Sequence, residues 1–260
     1  MRKHALGGAV VLLSILPFHI PAQPQAEKPE PLTCEVASVK HSAPGGRGGV
    51  IRQMPGGQTY VATGVPLRLL MTVAYTVTDR QISGGPSWVS TDTFDITAKA
   101  QRPGTSDEMH RMLQTVLEDR FQLKVRRESR ESPVWALTVD KGGPKLPEHD
   151  AHDLDHPPFR GIRGGIAGPN VSMNYFAFML SRLLDRNVID RTGLTANYDV
   201  NLLFTPDRPG PKNDGADAGS VPEGPDIFSA LREQLGLKLE SSKGPVEFLV
   251  IEHAEKPSGN

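Results

Sequence analysis

The amino-acid sequence predicts an α+β protein of two tandem repeats, each running strand, helix, strand, helix, hairpin, with helices packed on mainly antiparallel sheets. Three observations carry this expectation. Four segments space their apolar residues as one face of a helix does. Segments between them alternate apolar and polar residues with the two-residue period of a half-buried strand. The second half restates the order of the first.

Residues 1–22 read as a secretory signal peptide. Arg2 and Lys3 make a positive start, and Ala5 to Leu16 an apolar stretch too short to span a bilayer as a helix. Pro17, His19 and Pro21 interrupt it, Ala22 or Ala26 offers a cleavage point, and an uncleaved anchor is the alternative. Residues 23–33, rich in Pro, Gln and Glu, read as a flexible tether. The first repeat is expected over 34–147, a linker over 148–159, and the second repeat over 160–257 with a flexible insertion at 206–225. That insertion holds nine Gly or Pro and no aromatic residue.

Within the first repeat, Cys34 to Lys40 starts the folded part as a strand. Leu67, Leu70, Met71 and Ala74 then mark a helix, with Pro66 suited to its first turn. Phe94, Ile96 and Ala98 mark a strand. Met109, Met112, Leu113, Val116 and Leu117 mark a second helix, opened by a capping box of Thr105 and Glu108. Trp135, Leu137 and Val139 mark another strand. In the second repeat, Met173, Phe176, Ala177, Leu180 and Leu184 form a helix behind Ser172, and Tyr198, Val200, Leu202 and Phe204 a strand. Ile227, Leu231 and Leu235 form a helix that Asp226 starts and Gly236 stops. Val246, Phe248 and Val250 are expected to share one buried strand face.

The halves align by order and by motif. Pro55-Gly-Gly-Gln-Thr-Tyr-Val before the Leu67 helix parallels Gly168-Pro-Asn-Val before the Met173 helix, and Phe94-Asp-Ile parallels Tyr198-Asp-Val. If the repeats are independent, residues 160–257 fold cooperatively alone. One continuous domain whose halves share a sheet is the alternative.

Composition narrows the function. Among 260 residues, 29 Lys and Arg stand against 30 Asp and Glu, a net charge of −1. Such a balance gives no electrostatic basis for binding nucleic acid. A single cysteine excludes an internal disulfide, a thiolate zinc cluster and an iron–sulfur site. Export, with localisation in the periplasm or outside the cell, is the expected setting.

The run Cys34-Glu-Val-Ala-Ser-Val-Lys, the segment Gln81-Ile-Ser-Gly-Gly-Pro-Ser-Trp with Phe94-Asp-Ile, and the closing Gln234-Leu-Gly-Leu-Lys-Leu-Glu with Lys243-Gly-Pro-Val-Glu resemble the uncharacterised soil-associated protein family of bacteria, built on a domain of unknown function. The resemblance spans roughly Leu32 to Pro257 and implies an exported protein. Some relatives carry the domain beside a membrane-bound regulatory peptidase of the antibiotic-sensor type. It implies no activity and no catalytic residue. Relatives tend to have an aromatic residue where Cys34 stands, which fits a buried strand position. Each half is also similar, in element order, to the short N-terminal domain of secretins and TonB-dependent receptors.

The familiar catalytic strings, His-Glu-x-x-His, Gly-x-Ser-x-Gly and the phosphate-binding glycine loops, are absent from the sequence. The densest group of metal-ligand types is His149, Asp150, His152, Asp153, Asp155 and His156, read as a solvated linker rather than a metal site. The binding candidate is Ser83, Gly84, Gly85, Pro86 and Trp88. Two glycines allow close backbone approach there and the indole offers a cover; a tight turn with Trp88 plugging the core is the alternative. Gly45 to Gly49 and Gly161 to Gly165 each set an arginine among glycines and read as hairpin tips, with an anion cradle of exposed amides as the alternative; Lys124, Arg126, Arg127 and Arg130 read as a solvated sheet face. Asp92, Asp95, Asp190 and Asp199 are candidate acids, with Asp95 and Asp199 at equivalent repeat positions. Taken together, the residues predict an exported non-catalytic binding or sensing module of the bacterial envelope without a cofactor. An envelope or extracellular protein is its expected partner, with no stable transmembrane span once the signal is removed. The alternatives are an extracytoplasmic hydrolase using acids near the repeat junction and a structural scaffold. A pocket of convergent carboxylates or histidines would favour the enzyme, and an apolar-rimmed face would favour binding.

Overall fold

A computed structural model describes residues 32–43, 49–150, 159–205 and 224–257. The signal segment 1–22, nearly all of the tether, the linker's His152 to His156, the tip Gly45 to Gly48 and insertion residues 206–223 lie outside the described residues.

The chain is α+β with largely antiparallel sheets. In the first half, β5 (Thr93–Ala100) lies between β1 (Cys34–His41) and β3 (Thr59–Pro66), and β2 (Val50–Gln53) is the edge beyond β3. β5 buries Phe94, Ile96 and Ala98 on the face that meets α1 (Leu67–Ala74) and α3 (Ser106–Phe121). The capping box closes the start of α3, where Thr105 Oγ1 accepts from the Glu108 N–H and Glu108 accepts from the Thr105 N–H. Between α1 and β5, a 3₁₀ turn at Asp79–Gln81, β4 (Ile82–Gly84) and the short α2 (Trp88–Thr91) carry the chain across the end of this core.

The second half has its own three-stranded sheet and two helical segments. β8 (Gly165–Ser172) lies between β7 (Arg160–Ile162) and β10 (Asn197–Leu203), and α4 (Met173–Leu183) starts at Ser172, whose hydroxyl accepts from the Tyr175 N–H. α5 (Ile227–Ala230), capped by Asp226, runs on as a π-helical turn, Leu231–Leu235, and stops at Gly236 with φ of 65°. Both halves place a bulge before their first helix and hold it with the aspartate of the Phe-Asp-Ile or Tyr-Asp-Val motif. Asp95 Oδ1 accepts from the Gly64 N–H at 2.8 Å and the Ser42 hydroxyl at 2.6 Å. Asp199 Oδ1 accepts from the Asn170 N–H at 3.2 Å and meets His149 Nδ1 at 2.6 Å. Gly64 and Asn170 are both left-handed, with φ of 64° and 57°, and an aspartate that accepts from that residue's own N–H holds each bulge in place.

The third sheet joins the halves, in the order β4, β11 (Leu237–His253), β6 (Lys124–Val139), β9 (Asn187–Asp190). β6 and β11 pair antiparallel along nearly their whole length, from Leu237 opposite Val139 to His253 opposite Lys124. β4, from the first half, pairs with the end of β11, and β9, from the second, with the end of β6. The exchange reaches the cores. Leu249 and Ile251 of β11 are buried among first-half residues, and Leu137 of β6 among second-half residues. The described residues from Leu32 onward fall in one compact unit.

This pairing corrects two expectations. The hairpin expected at the end of each half is instead one long strand. The middle of β6, Arg126-Arg-Glu-Ser-Arg-Glu-Ser-Pro133, holds no Asn-Gly or Asp-Gly pair to turn the chain, and its charges are met in extended form. Arg126 pairs with Glu128 and Glu252, Arg130 with Glu128, and Arg127 with Glu247. Pro133 and Pro245 lack an N–H and fall where β9 and β4 have not yet joined, so the open side of each strand absorbs the missing donor. Secondly, Val246, Leu249 and Ile251 are the buried residues of β11's second half, while Phe248 and Val250 are half-buried. The Arg130 guanidinium lies 4.7 Å from the Phe248 ring centre and covers the opposite face.

Candidate functional site

The exchange of strands leaves a cleft of about 670 Å³ where the halves face each other. On one side, β2 and the turn after it supply Val50 to Pro55, with Tyr60 of β3 and Leu69 and Val73 of α1 behind them. On the other, Phe159, Arg160 and Gly161 come from the start of β7, and Tyr175, Met179 and Arg182 from one stripe of α4. The floor is aromatic and aliphatic. Val50 and Met54, two of the molecule's exposed large apolar side chains, stand at its rim.

The charge of the rim is one-sided. Arg52, Arg160 and Arg182 are exposed and face the cleft, and no Asp or Glu lines it among the described residues. Elsewhere Arg68, Arg102, Arg126, Arg127, Arg130 and Arg186 each have a carboxylate within ion-pair distance, while Arg80 and Arg191 bond to neutral oxygens. Three guanidiniums on one rim, with no carboxylate lining it among the described residues, make the cleft locally positive on a chain of net charge −1.

Behind the floor lies a buried histidine. His110 of α3, 4 % exposed, sits between Tyr60 and Tyr175, with ring centres 6.2 and 5.2 Å away. Its Nδ1 has no hydrogen-bond partner among the described residues. Burial alone pulls its pKa down to about 4, so it is neutral at pH 7. Burial also pushes the phenols of Tyr60 and Tyr175 up, keeping them protonated. These groups offer the cleft packing surface and hydrogen-bond donors, and no charged base.

Residues 68–254 match the family DUF3738, described as a protein of unknown function. The chain belongs to this family. The DUF3738 match takes in α1 through β11 and leaves out β1, β2 and β3, so Arg160, Tyr175 and Arg182 fall inside it and Arg52 and Tyr60 outside. No curated protein and no solved structure matches the chain.

The expected binding residues Ser83, Gly84, Gly85, Pro86 and Trp88 come together at the far end of the central sheet, and none lines the cleft. Gly84 and Gly85 have φ of 77° and 78° and run against Ile251 of β11; a Cβ on Gly84 would stand 2.8 Å from the Ile251 carbonyl oxygen. The Trp88 ring stacks on Phe121 and meets Phe94 edge-on, with Lys256 on its outer side. The four candidate acids separate. Asp92 pairs with Lys256, whose hydrogen bond holds the Asp92 carboxyl below the usual range. Asp190 accepts from the Thr192 N–H and hydroxyl, and Asp95 and Asp199 hold the two bulges.

Of the linker's ligand types, His149 is turned onto Asp199. Among the described residues no three His, Cys, Asp or Glu side chains gather around one point. Burial pushes the Cys34 thiol up, away from the reactive thiolate. No helix among the described residues is long and apolar enough to cross a membrane.

Apart from Gly49 and Gly161, the ends of the two glycine–arginine segments, the cleft residues were not among the sequence candidates. One signal for them was legible: α4 is apolar beyond its core stripe, because Tyr175, Phe178 and Met179 add a second face to Met173, Phe176, Ala177 and Leu180. A helix with two apolar faces packs on two things.

Proposed function

We propose that the protein is an exported, non-catalytic binding or sensing module of the bacterial envelope, with the cleft between its halves as the recognition surface. The observation that carries this reading is the cleft's composition: an apolar, aromatic floor, three arginines at the rim, and no carboxylate or charged histidine among the described lining residues. Such a surface binds and orients a ligand, and it supplies no proton-transfer pair. The signal-like residues 1–22 and the resemblance to exported soil-associated proteins support an envelope setting. We also read the halves as two copies of one unit, each lending a long strand to the other's core.

A hydrolase is the second reading, favoured by the 2.6 Å contact between the nearly buried His149 imidazole and Asp199. Against it, Asp199 has the bulge-holding role that Asp95 has in the first half.

The test is titration of the full chain with the anionic aromatic probe 8-anilinonaphthalene-1-sulfonate, beside a panel of ester, amide and phosphoester substrates. Probe binding that weakens at least tenfold in an Arg52→Glu/Arg182→Glu double variant, with no turnover, is the expected result. Turnover that disappears in His149→Ala, with probe binding indifferent to the two arginines, would transfer the function to the dyad.

A further inference from the structure

The cleft has a feature that a pocket for a small molecule does not need: two strand edges face it. β2 is the outer strand of the first-half sheet and β7 the outer strand of the second-half sheet, and among the described residues each is paired on one side only. The Met54 N–H donates to the Thr59 carbonyl across the β2–β3 ladder. Peptide groups in an antiparallel strand alternate sides, so Val50 and Arg52 also turn theirs to β3, while Ile51 and Gln53 turn an N–H and a C=O outward. On the β7 side, a Cβ at Gly161 would meet nothing within 4 Å.

We propose that the cleft takes an extended acidic peptide, which adds as a strand to the open edge of β2. The proposal rests on the binding reading above and names its ligand class. Three requirements of strand addition meet in this place. The outward groups of Ile51 and Gln53 supply main-chain hydrogen bonds. The floor of Tyr60, Leu69, Val73, Tyr175 and Met179 accepts every second side chain of the incoming segment. Arg52, Arg160 and Arg182 meet its carboxylates, and guanidinium forks suit carboxylates in two-point contact. Four residues of β2 extend over about 13 Å at the rise of a strand, enough to register a peptide of four or five residues. An open edge with apolar surface beside it invites self-association, and arginines at that edge repel a second copy of this chain while attracting an acidic segment.

The probe is a fluorescein-labelled octapeptide of alternating glutamate and valine, measured by fluorescence anisotropy on the full chain. Binding is expected, weakened at least tenfold by Arg52→Glu/Arg182→Glu and by raised salt, and absent for the lysine–valine counterpart. Two N-methylated peptides, one methylated at every valine and one at every glutamate, are expected to part company, because only one set of N–H groups faces β2. Gln53→Pro removes one outward N–H and keeps the bonds to β3; it is expected to weaken the parent peptide at least fivefold with an unchanged thermal melt. Equal binding of both methylated peptides would overturn strand addition and leave the cleft a charge-selective site. Binding of dodecyl phosphate without binding of the peptide would overturn the peptide while keeping the binding role. If neither binds, both readings fail together.

Discussion

Replacing His110 with phenylalanine tests how the buried contact between the halves is held. The imidazole lies between Tyr60 and Tyr175, with its Nδ1 unpartnered among the described residues and its pKa brought from the ordinary 6.5 down to about 4 by burial. In the unfolded chain the ring takes a proton near pH 6.5, and in the folded chain only near pH 4. Between those values the unfolded state binds more protons, so stability is lost as pH falls through the interval and the loss levels off below it. Each pH unit costs about 1.4 kcal/mol, so the full interval costs about 3 kcal/mol. His110→Phe keeps a ring in place and removes the titration. Urea unfolding at a series of pH values should give a variant that gains on the wild type by about 3 kcal/mol between pH 7 and pH 4. Carboxylates held below their ordinary range, such as Glu108 by its hydrogen bond from Arg102, lose their contribution on acidification in both proteins and cancel in the difference. Parallel stability curves from pH 7 to pH 4 would refute the reasoning, because they would mean that His110 is hydrated or partnered in the folded chain.

Other outcomes follow from the same contacts. Asp95→Ala strands the Gly64 N–H and the Ser42 hydroxyl and should cost about 1–3 kcal/mol in chemical denaturation. Gly84→Ala forces an L side chain into a left-handed position against the Ile251 carbonyl; a cost of at least about 1–2 kcal/mol is expected, visible as a lower thermal midpoint. Trp88→Ala empties the space beside Phe94 and Phe121, for a loss of about 2–3 kcal/mol with cleft binding by the anionic probe unchanged. Residues 160–257 alone lack β6, the partner of β11, and expose Leu249 and Ile251. That fragment should melt without a cooperative transition, and mixing it with residues 32–150 should restore one by circular dichroism.

Local features were legible because their causes are local. The capping box of α3, Ser172 before α4, Asp226 before α5 and Gly236 after the π-helical turn each act over a few residues and announce themselves in sequence. The alternation of Phe94, Ile96 and Ala98 told which face of β5 is buried. Long-range pairing was not legible: nothing near Arg130 says that Val246 will lie opposite it, so two strand-like runs joined by polar residues read as a hairpin instead of one strand. The cleft failed to show for the same reason. Arg52, Arg160 and Arg182 carry no motif, and only the meeting of β2, β7 and α4 gives them a common target. Phe248 misled because an arginine covers its ring from the solvent side, so its apolar character did not mark the core face.

The shared ladder of β6 and β11 also bears on timing. During synthesis the first half emerges complete in sequence yet unfinished in space, since the side chains that fill its base, Leu249 and Ile251, come only with β11, after the whole second half up to Gly236. Neither half has a finished native core until β11 has been made, and contacts of such separation close slowly. Until then the apolar base of the first half stands open to any other surface that can cover it.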